Sequence, residues 1–317
     1  MELYFKKPSK EAREAMCMVA LKYASKLELI NSAENAVSDL TGHKYSKIVN
    51  SGNSAIFAVM SRFKGKIMVP DQGAWSGFSK IAKFLGLETI HLPTDLGLID
   101  PEILSIELKK ERPKALFLTS FAGYTAEQPI NKIHRICRTE DVILVEDASG
   151  ALGDEKGRLA NGKHSDIIVA STGSPKIVNV GNGGIISTNQ KEILDTSPKF
   201  LEADPITCVG ITQEIKNAPS ILSRTVSACN YLKKELDDIF HKDKRGVNVI
   251  LKTEHPKILA RELRSSLNIQ NGGMISKCPR YDRIMEKGVA LEIKNLDIRC
   301  LTLENLDDMV LLVDGLR

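Results

Sequence analysis

The sequence contains no Cys-x-x-Cys pair, no long block of one charge, no apolar run of membrane-spanning length and no internal repeat or low-complexity segment. Its six cysteines, Cys17, Cys137, Cys208, Cys229, Cys278 and Cys300, lie far apart. That spacing argues against a disulfide frame and against a zinc site, and it favours free thiols in a reducing compartment with no bound metal. Lysine and arginine total 44 against 40 for aspartate and glutamate, so the net charge of +4 is spread thinly and nucleic-acid binding is not indicated. The opening MELYFKKPSKEAREAM has no apolar run of signal-peptide length, and no later segment approaches a membrane span, so a cytoplasmic location without membrane contact is the expectation.

What is present fits an ordinary globular chain. Its 317 residues, 42% of them hydrophobic, suffice for one large domain plus a smaller one with a sizeable core. Between residues 40 and 190, short aliphatic runs alternate with helix-like segments. The runs include KIVN (47–50), GKIMVP (65–70), KALFLTSF (114–121), DVILVED (141–147), SDIIVAS (165–171) and GGIISTN (183–189). Unbroken Val/Ile/Leu runs mark strands buried on both faces. The expected fold is therefore α/β, with a large domain built on a mostly parallel, mixed sheet flanked by helices. Residues 211–241 read as a connecting helix broken near Pro219, closing a large unit over 1–243. Residues 244–317 read as a small C-terminal α+β domain whose last stretch, DIRCLTLENLDD, gives a strand and then a helix.

In open α/β sheets ligands gather where strands end, so polar residues at those ends carry the functional information. Three ends stand out. In VNSGNSAIFA (49–58) a strand gives way to Ser51, Gly52, Asn53 and Ser54 and then a helix, a start suited to a phosphate-like anion. VILVEDASGALG (142–153) delivers Glu146 and Asp147, which serve either as loop hydrogen-bonders or as partners for a cationic nitrogen. STGSPKIVNVGNGG (171–184) sets Lys176 five residues after Ser171, ahead of Gly181, Gly183 and Gly184. The order is anion loop, carboxylate, lysine.

In that order and spacing the sequence resembles the fold-type I pyridoxal-phosphate-dependent enzymes, and most closely the DegT/StrS sugar aminotransferases. The stretches ENAVSDLTGHKYSKIVNSGNSAIFAV (34–59) and VEDASGALGDEKGRLANGKHSDIIVASTGSPKIVNVGNGGIIST (145–188) carry the resemblance, which runs from about residue 34 to 235. It implies pyridoxal 5'-phosphate as cofactor, with Lys176 forming the Schiff base and moving the substrate proton, and Asp147 pairing with the pyridine nitrogen. The lysine's pKa would be lowered by desolvation near the pyridinium. Gly52, Asn53, Ser54 and Ser171 would surround the phosphate, and the glycines 181, 183 and 184 would let backbone pass close to the cofactor. Trp75 would cover one ring face, with Gln72 as its competitor. Asn217, in KNAP (216–219), would reach the phosphate site of a second subunit, making the active unit a homodimer with shared sites. SFAGYTAEQP (120–129) would lie over the ring edge, with Ser120 or Tyr124 in reach. Arg299 would take a substrate carboxylate, with Arg280 and Arg261 as alternatives, while His134 and His164 read as structural.

The implied reaction moves an amino group from a small-molecule amino-acid donor to a keto or keto-sugar acceptor. One departure touches the site, because Gly150 stands where the family often has Gln or His. Two other readings keep the fold. One is a lyase, desulfurase or aminoacyl-modifying enzyme, the desulfurase version needing a reactive Cys278 on a mobile loop; the other is a regulatory protein with little turnover.

Overall fold

Short polar caps start the helices, and aliphatic runs make the strands between them. The computed structural model describes residues 2–22, 25–195, 200–267, 269–270 and 273–316. The first strand, β1 (Leu3–Tyr4), is followed by helices α1 (Lys10–Leu21) and α2 (Lys26–Thr41). Strand β2 (Tyr45–Val49), helix α3 (Gly52–Met60), β3 (Lys66–Pro70), α4 (Gly77–Phe84), β4 (Glu88–Leu92), α5 (Pro101–Glu111) and β5 (Ala115–Thr119) come next. A hairpin, β6 (Phe121–Ala122) and β7 (Ala126–Glu127), precedes α6 (Ile130–Thr139), β8 (Ile143–Asp147), β9 (Ile167–Ser171) and β10 (Gly184–Thr188). The remainder holds α7 (Pro205–Glu235), β11 (Val249–Lys252), α8 (Pro256–Ser266), β12 (Ile269–Gln270), β13 (Ile275–Cys278), β14 (Gly288–Leu291) and α9 (Leu303–Gly315).

Seven strands form the main sheet in the order β2-β10-β9-β8-β5-β3-β4. β10 runs antiparallel to both neighbours, while β9, β8, β5, β3 and β4 are parallel to one another, so β2, on the far side of β10, points the same way as they do. Every residue of β5 is buried because helices cover both faces of the sheet, which is why its sequence does not alternate. On one face Ile48, Leu116, Leu144 and Ile168 pack with residues of α2, α5, α6 and α7; on the other Val49, Phe117, Val145 and Val169 pack under α3 and α4. This topology brings the carboxyl ends of β2, β5, β8 and β9 to one edge, the edge at which such sheets bind ligands. β11, β14 and β13 form a separate antiparallel sheet with its own core under α8 and α9.

Two expectations from the sequence are corrected. α7 is continuous across Pro219 and runs from Pro205 to Glu235 rather than over 211–241. A proline inside a helix costs ~3 kcal/mol, but the buried Ile211, Ile215, Ala218, Leu222 and Val226 keep the turns on either side packed. The helix stops early because Leu236 is extended and Asp238 and His241 adopt left-handed backbone. In DIRCLTL the expected strand is a single 3₁₀ turn at Ile298–Cys300, capped by Asp297, which accepts from Arg299 N at 2.9 Å. β1 pairs in parallel with β12, so the chain's first strand lies beside residues from the 244–317 stretch.

Candidate active site

The site begins at the end of β2. Ser51 caps α3, its Oγ accepting from Ser54 N at 3.1 Å, and the helix opens at Gly52 and Asn53, whose N–H groups have no intrahelical acceptor at this position. Gly52 is pressed against the end of β9, where a Cβ would lie 2.5 Å from Ser171 Cβ. The positive end of α3 thus meets the Ser171 hydroxyl, an arrangement suited to an anion.

β8 ends at Asp147, next in the sheet to β9. The buried carboxylate accepts from Ser149 N at 3.0 Å and from Ser149 Oγ, both at Oδ1, and Ser149 Oγ in turn accepts from Ser171 N at 2.8 Å. Burial pushes the Asp147 carboxyl upward, and the Lys176 charge and the Ser149 hydrogen bonds offset only part of that cost. A cationic nitrogen beside it would be stabilised for the same reason. Lys176 reaches in from the loop after β9, and its Nζ donates to Tyr124 Oη at 2.9 Å. Burial acts to lower its pKa, but Tyr124 and Asp147 outweigh burial and the net direction is upward. In the chain by itself two groups thus favour the charged form of Lys176.

Ser51, Gly52, Asn53, Ile56, Trp75, Tyr124, Asp147, Ser149, Ser171 and Lys176 share one cavity of about 240 Å³. Trp75 forms part of its wall and donates from Nε1 to Asn53 Oδ1 at 3.2 Å, whereas Gln72 is turned away, its Oε1 accepting from Met285 N at 2.7 Å. Ser54 does not line this cavity; its hydroxyl is used within the turn, by Ser51 Oγ at 2.8 Å and by Asn50 Oδ1. Gly184 makes room for the turn before α3, since a Cβ there would fall 2.4 Å from Ser51 O, and none of the glycines 181, 183 and 184 lines the cavity.

Asn217 and Arg299 lie elsewhere. They line a second cavity of about 420 Å³ with Lys6, Lys7, Arg13 and Glu214. Arg299 folds back on Asp297, with Nε to Oδ1 at 2.9 Å and Nη2 to Oδ2 at 2.8 Å, and does not face Lys176 within the chain. Arg280 is likewise paired with Asp282, and Arg261 is exposed. Glu146 is structural: it accepts from Ser120 Oγ at 2.6 Å, from Ala160 N at 2.9 Å and from Ser165 Oγ, which also accounts for Ser120. His134 pairs with Asp166 at 3.3 Å. Cys278 ends β13 with 2% exposure, and burial pushes its thiol up, the opposite of what a reactive thiolate on a mobile loop requires.

Sequence reasoning missed a buried cluster behind Tyr124. Arg283 Nε and Nη2 donate to Glu292 at 2.7 and 2.8 Å, Lys294 Nζ lies 3.2 Å from Glu292 Oε2, and Asn248 Nδ2 donates to Glu292 at 2.6 Å. The Arg283 and Lys294 charges each stand 4.9 Å from the Tyr124 ring centroid. Ser149 was also missed, although an Asp followed two residues later by Ser is the pattern of a carboxylate that bonds its own turn.

A mostly parallel sheet whose carboxyl edge gathers a helix start, a buried carboxylate and a half-buried lysine around one cavity defines an α/β protein with a pocket at the place where such sheets bind ligands. The chain belongs to the DegT/DnrJ/EryC1/StrS aminotransferase family, whose profile matches residues 11–203. Residues 219–314 match the MJ1341 family C-terminal domain. A UDP-4-amino-4,6-dideoxy-N-acetyl-beta-L-altrosamine transaminase of Campylobacter jejuni is 26% identical over 172 residues, which take in 52% of this chain and 45% of that protein. The GDP-perosamine synthase of Escherichia coli O157:H7 is 23% identical over 190 residues, 58% of this chain and 51% of that one. The chain spans about half the length of the curated relatives it matches. Among solved structures, Helicobacter pylori PseC, an aminotransferase involved in the biosynthesis of pseudoaminic acid, superposes with a TM-score of 0.79 at 16% identity over 100% of this chain and 99% of that one. A cysteine desulfurase from Thermococcus onnurineus reaches 0.77 at 16% identity, covering 99% and 94%. At these identities the likeness is one of fold.

Proposed function

We propose that this chain is a pyridoxal-phosphate-dependent aminotransferase that moves an amino group from an amino-acid donor to a keto or keto-sugar acceptor. The observation that carries this reading is the convergence of Lys176, Asp147, Ser171 and the start of α3 on one cavity in a chain of this family. These residues fit the cofactor: Ser171 and the first N–H groups of α3 suit a phosphate, the buried carboxylate of Asp147 suits a protonated ring nitrogen, and the half-buried Lys176 amine suits an aldehyde carbon. When bound, pyridoxal phosphate supplies an electron-withdrawing ring that lowers the cost of removing a proton beside the substrate nitrogen.

Asp147, fixed by Ser149, would hold a proton on the ring nitrogen by favouring its charged form. Lys176 would hold the group through its amine, and its Nζ, facing the cavity, would take and return the substrate proton. Trp75 walls the cavity on the side of α3 and offers a flat surface to the ring. Asn217, which lines the second cavity rather than the first, would serve a neighbouring copy in a homodimer, and Arg299 would take a substrate carboxylate once released from Asp297. Among the described residues no helix is long and apolar enough to cross a membrane, and the reading places the enzyme in the cytoplasm.

The test is to supply pyridoxal phosphate, record the visible spectrum, reduce with borohydride and map the modified peptide. A band that shifts on adding amino donors, with the pyridoxyl group on Lys176 and none in Lys176→Ala, is expected. Absence of the band, or an adduct on another lysine, refutes the assignment.

A further inference from the structure

Tyr124 occupies an unusual position. Its backbone is left-handed, with φ 63°, directly after Gly123 at φ 54°, and this tight turn throws the side chain inward over the cavity. Its carbonyl accepts from Val247 N at 2.8 Å and Asn248 N at 3.0 Å, tying the turn to the segment that leads into β11. The ring then fills space left by a neighbour: a Cβ at Gly150 would fall 3.0 Å from Tyr124 Cε1 and 3.1 Å from Cδ1. A larger side chain at 150 and this ring could not both be accommodated without movement.

The ring is held by charge as well as by packing. Arg283 and Lys294, both buried and joined through Glu292, face it at 4.9 Å, and Lys176 lies 5.2 Å from its centroid. A lysine stem carries about 2 kcal/mol of rotamer freedom, and the one hydrogen bond that Lys176 Nζ makes among the described residues goes to Tyr124 Oη. We propose that Tyr124 is the positioning residue for Lys176: its ring takes the place of a side chain at residue 150, and its hydroxyl fixes the direction of the amine. The functional meaning of this positioning rests on the aminotransferase reading, but the geometry does not. The other charged groups around the amine are Asp147 from β8, Arg283 and Lys294 beyond the ring, and Glu292 behind them.

The experiment is competitive acetylation of the full chain with acetic anhydride across a pH series, before any cofactor is added, with the extent of labelling at Lys176 read from peptide mass. In Tyr124→Phe the ring stays and only the acceptor for the ammonium is lost. A hydrogen bond to a charged group corresponds to a shift of about one pH unit, so the labelling midpoint of Lys176 falls by about that much and labelling below the midpoint rises about tenfold. Gly150→Ala crowds the ring and shifts the midpoint the same way by less, and adds nothing to Tyr124→Phe because both act through one oxygen. An unchanged midpoint in Tyr124→Phe overturns the proposal, as does a further shift from Gly150→Ala in that background. Should Tyr124→Phe fail to fold, Gly150→Ala alone carries the test, and an unchanged midpoint overturns it. Failure of pyridoxal phosphate to bind would overturn the aminotransferase reading while leaving this readout intact.

Discussion

Replacing Glu292 by alanine removes the one carboxylate that Arg283 and Lys294 share. Glu292 is 2% exposed, Arg283 6% and Lys294 5%, so the variant would strand two cations where water does not reach. Breaking a buried pair by removing one partner costs about 3–5 kcal/mol, a large part of the roughly 5–15 kcal/mol that holds a domain folded. Arg283 keeps a hydrogen bond from Nη1 to Asp282 O at 2.5 Å and a longer ion pair, 3.6 Å, with the Asp282 carboxylate, and cannot shed its charge. Lys294 can, because burial first, and then the Arg283 and Lys176 charges, already hold it at about 8 against the pull of Glu292. Without Glu292 it falls further, at about 1.4 kcal/mol per unit. The penalty must therefore be smaller at pH 9, where Lys294 is mostly neutral in both proteins, than at pH 7. Urea unfolding at the two pH values, followed by circular dichroism and by fluorescence of Trp75, the sole tryptophan, measures it. A loss below about 1 kcal/mol at pH 7, or the same loss at both pH values, would refute the buried-cation argument.

Glu292 also predicts an acid limb. Burial raises its pKa, but Lys294 and Arg283 overcome that and hold it at about 2, below the unfolded value, so the stability it contributes is present above the unfolded pKa and is lost as pH falls toward 2. Glu292→Gln should flatten that limb in acid unfolding, and an unchanged limb counts against the assignment. Gly52→Ala drives a Cβ to 2.5 Å from Ser171 Cβ and 2.8 Å from its Cα. Equilibrium titration should show pyridoxal phosphate binding weakened at least about tenfold, ~1.4 kcal/mol. Phe117→Ala, which removes a fully buried ring packed 5.9 Å from Phe63 and 5.8 Å from Phe78, should cost about 3–5 kcal/mol in urea unfolding. Asp204 caps α7 through Thr207 N at 2.9 Å, and Asp204→Ala should cost about 1 kcal/mol by the same measurement.

The central strands were legible because burial on both faces forces unbroken aliphatic runs, as in ALFLT of β5. The cavity was legible because Asp147, Ser171 and Gly52 stand at strand ends, where the sheet itself decides what meets. Pro219 misled because local chemistry argues for a break, whereas the packing that carries α7 through it comes from residues distant in sequence. Nothing in the local sequence showed that Asp297, two residues away, would hold the Arg299 guanidinium. The Glu292, Arg283 and Lys294 cluster gave no pattern, because three charged residues spread over twelve positions look like a solvated surface until a third dimension buries them. Tyr124 was legible as a residue in reach of the ring edge, with Ser120 as its alternative; the empty space at Gly150 that it fills is a fact of folding.

The reversed direction of β10 has a consequence for how this protein is made. At the cradle Gly184 pairs with Ser171 on one side and Val49 on the other, so β2, which leads into α3, joins β9 in the sheet only through a strand synthesised long after it. During translation the first half of the anion cradle emerges early and must wait, with its edge unpaired, until residues 184–188 leave the ribosome. On the proposed reading, cofactor capture is thereby tied to late chain growth. A nascent chain stalled before β10 would carry the β2–α3 turn without the strand that seats it against β9, and pyridoxal phosphate added to such chains would be bound only once that strand had been completed.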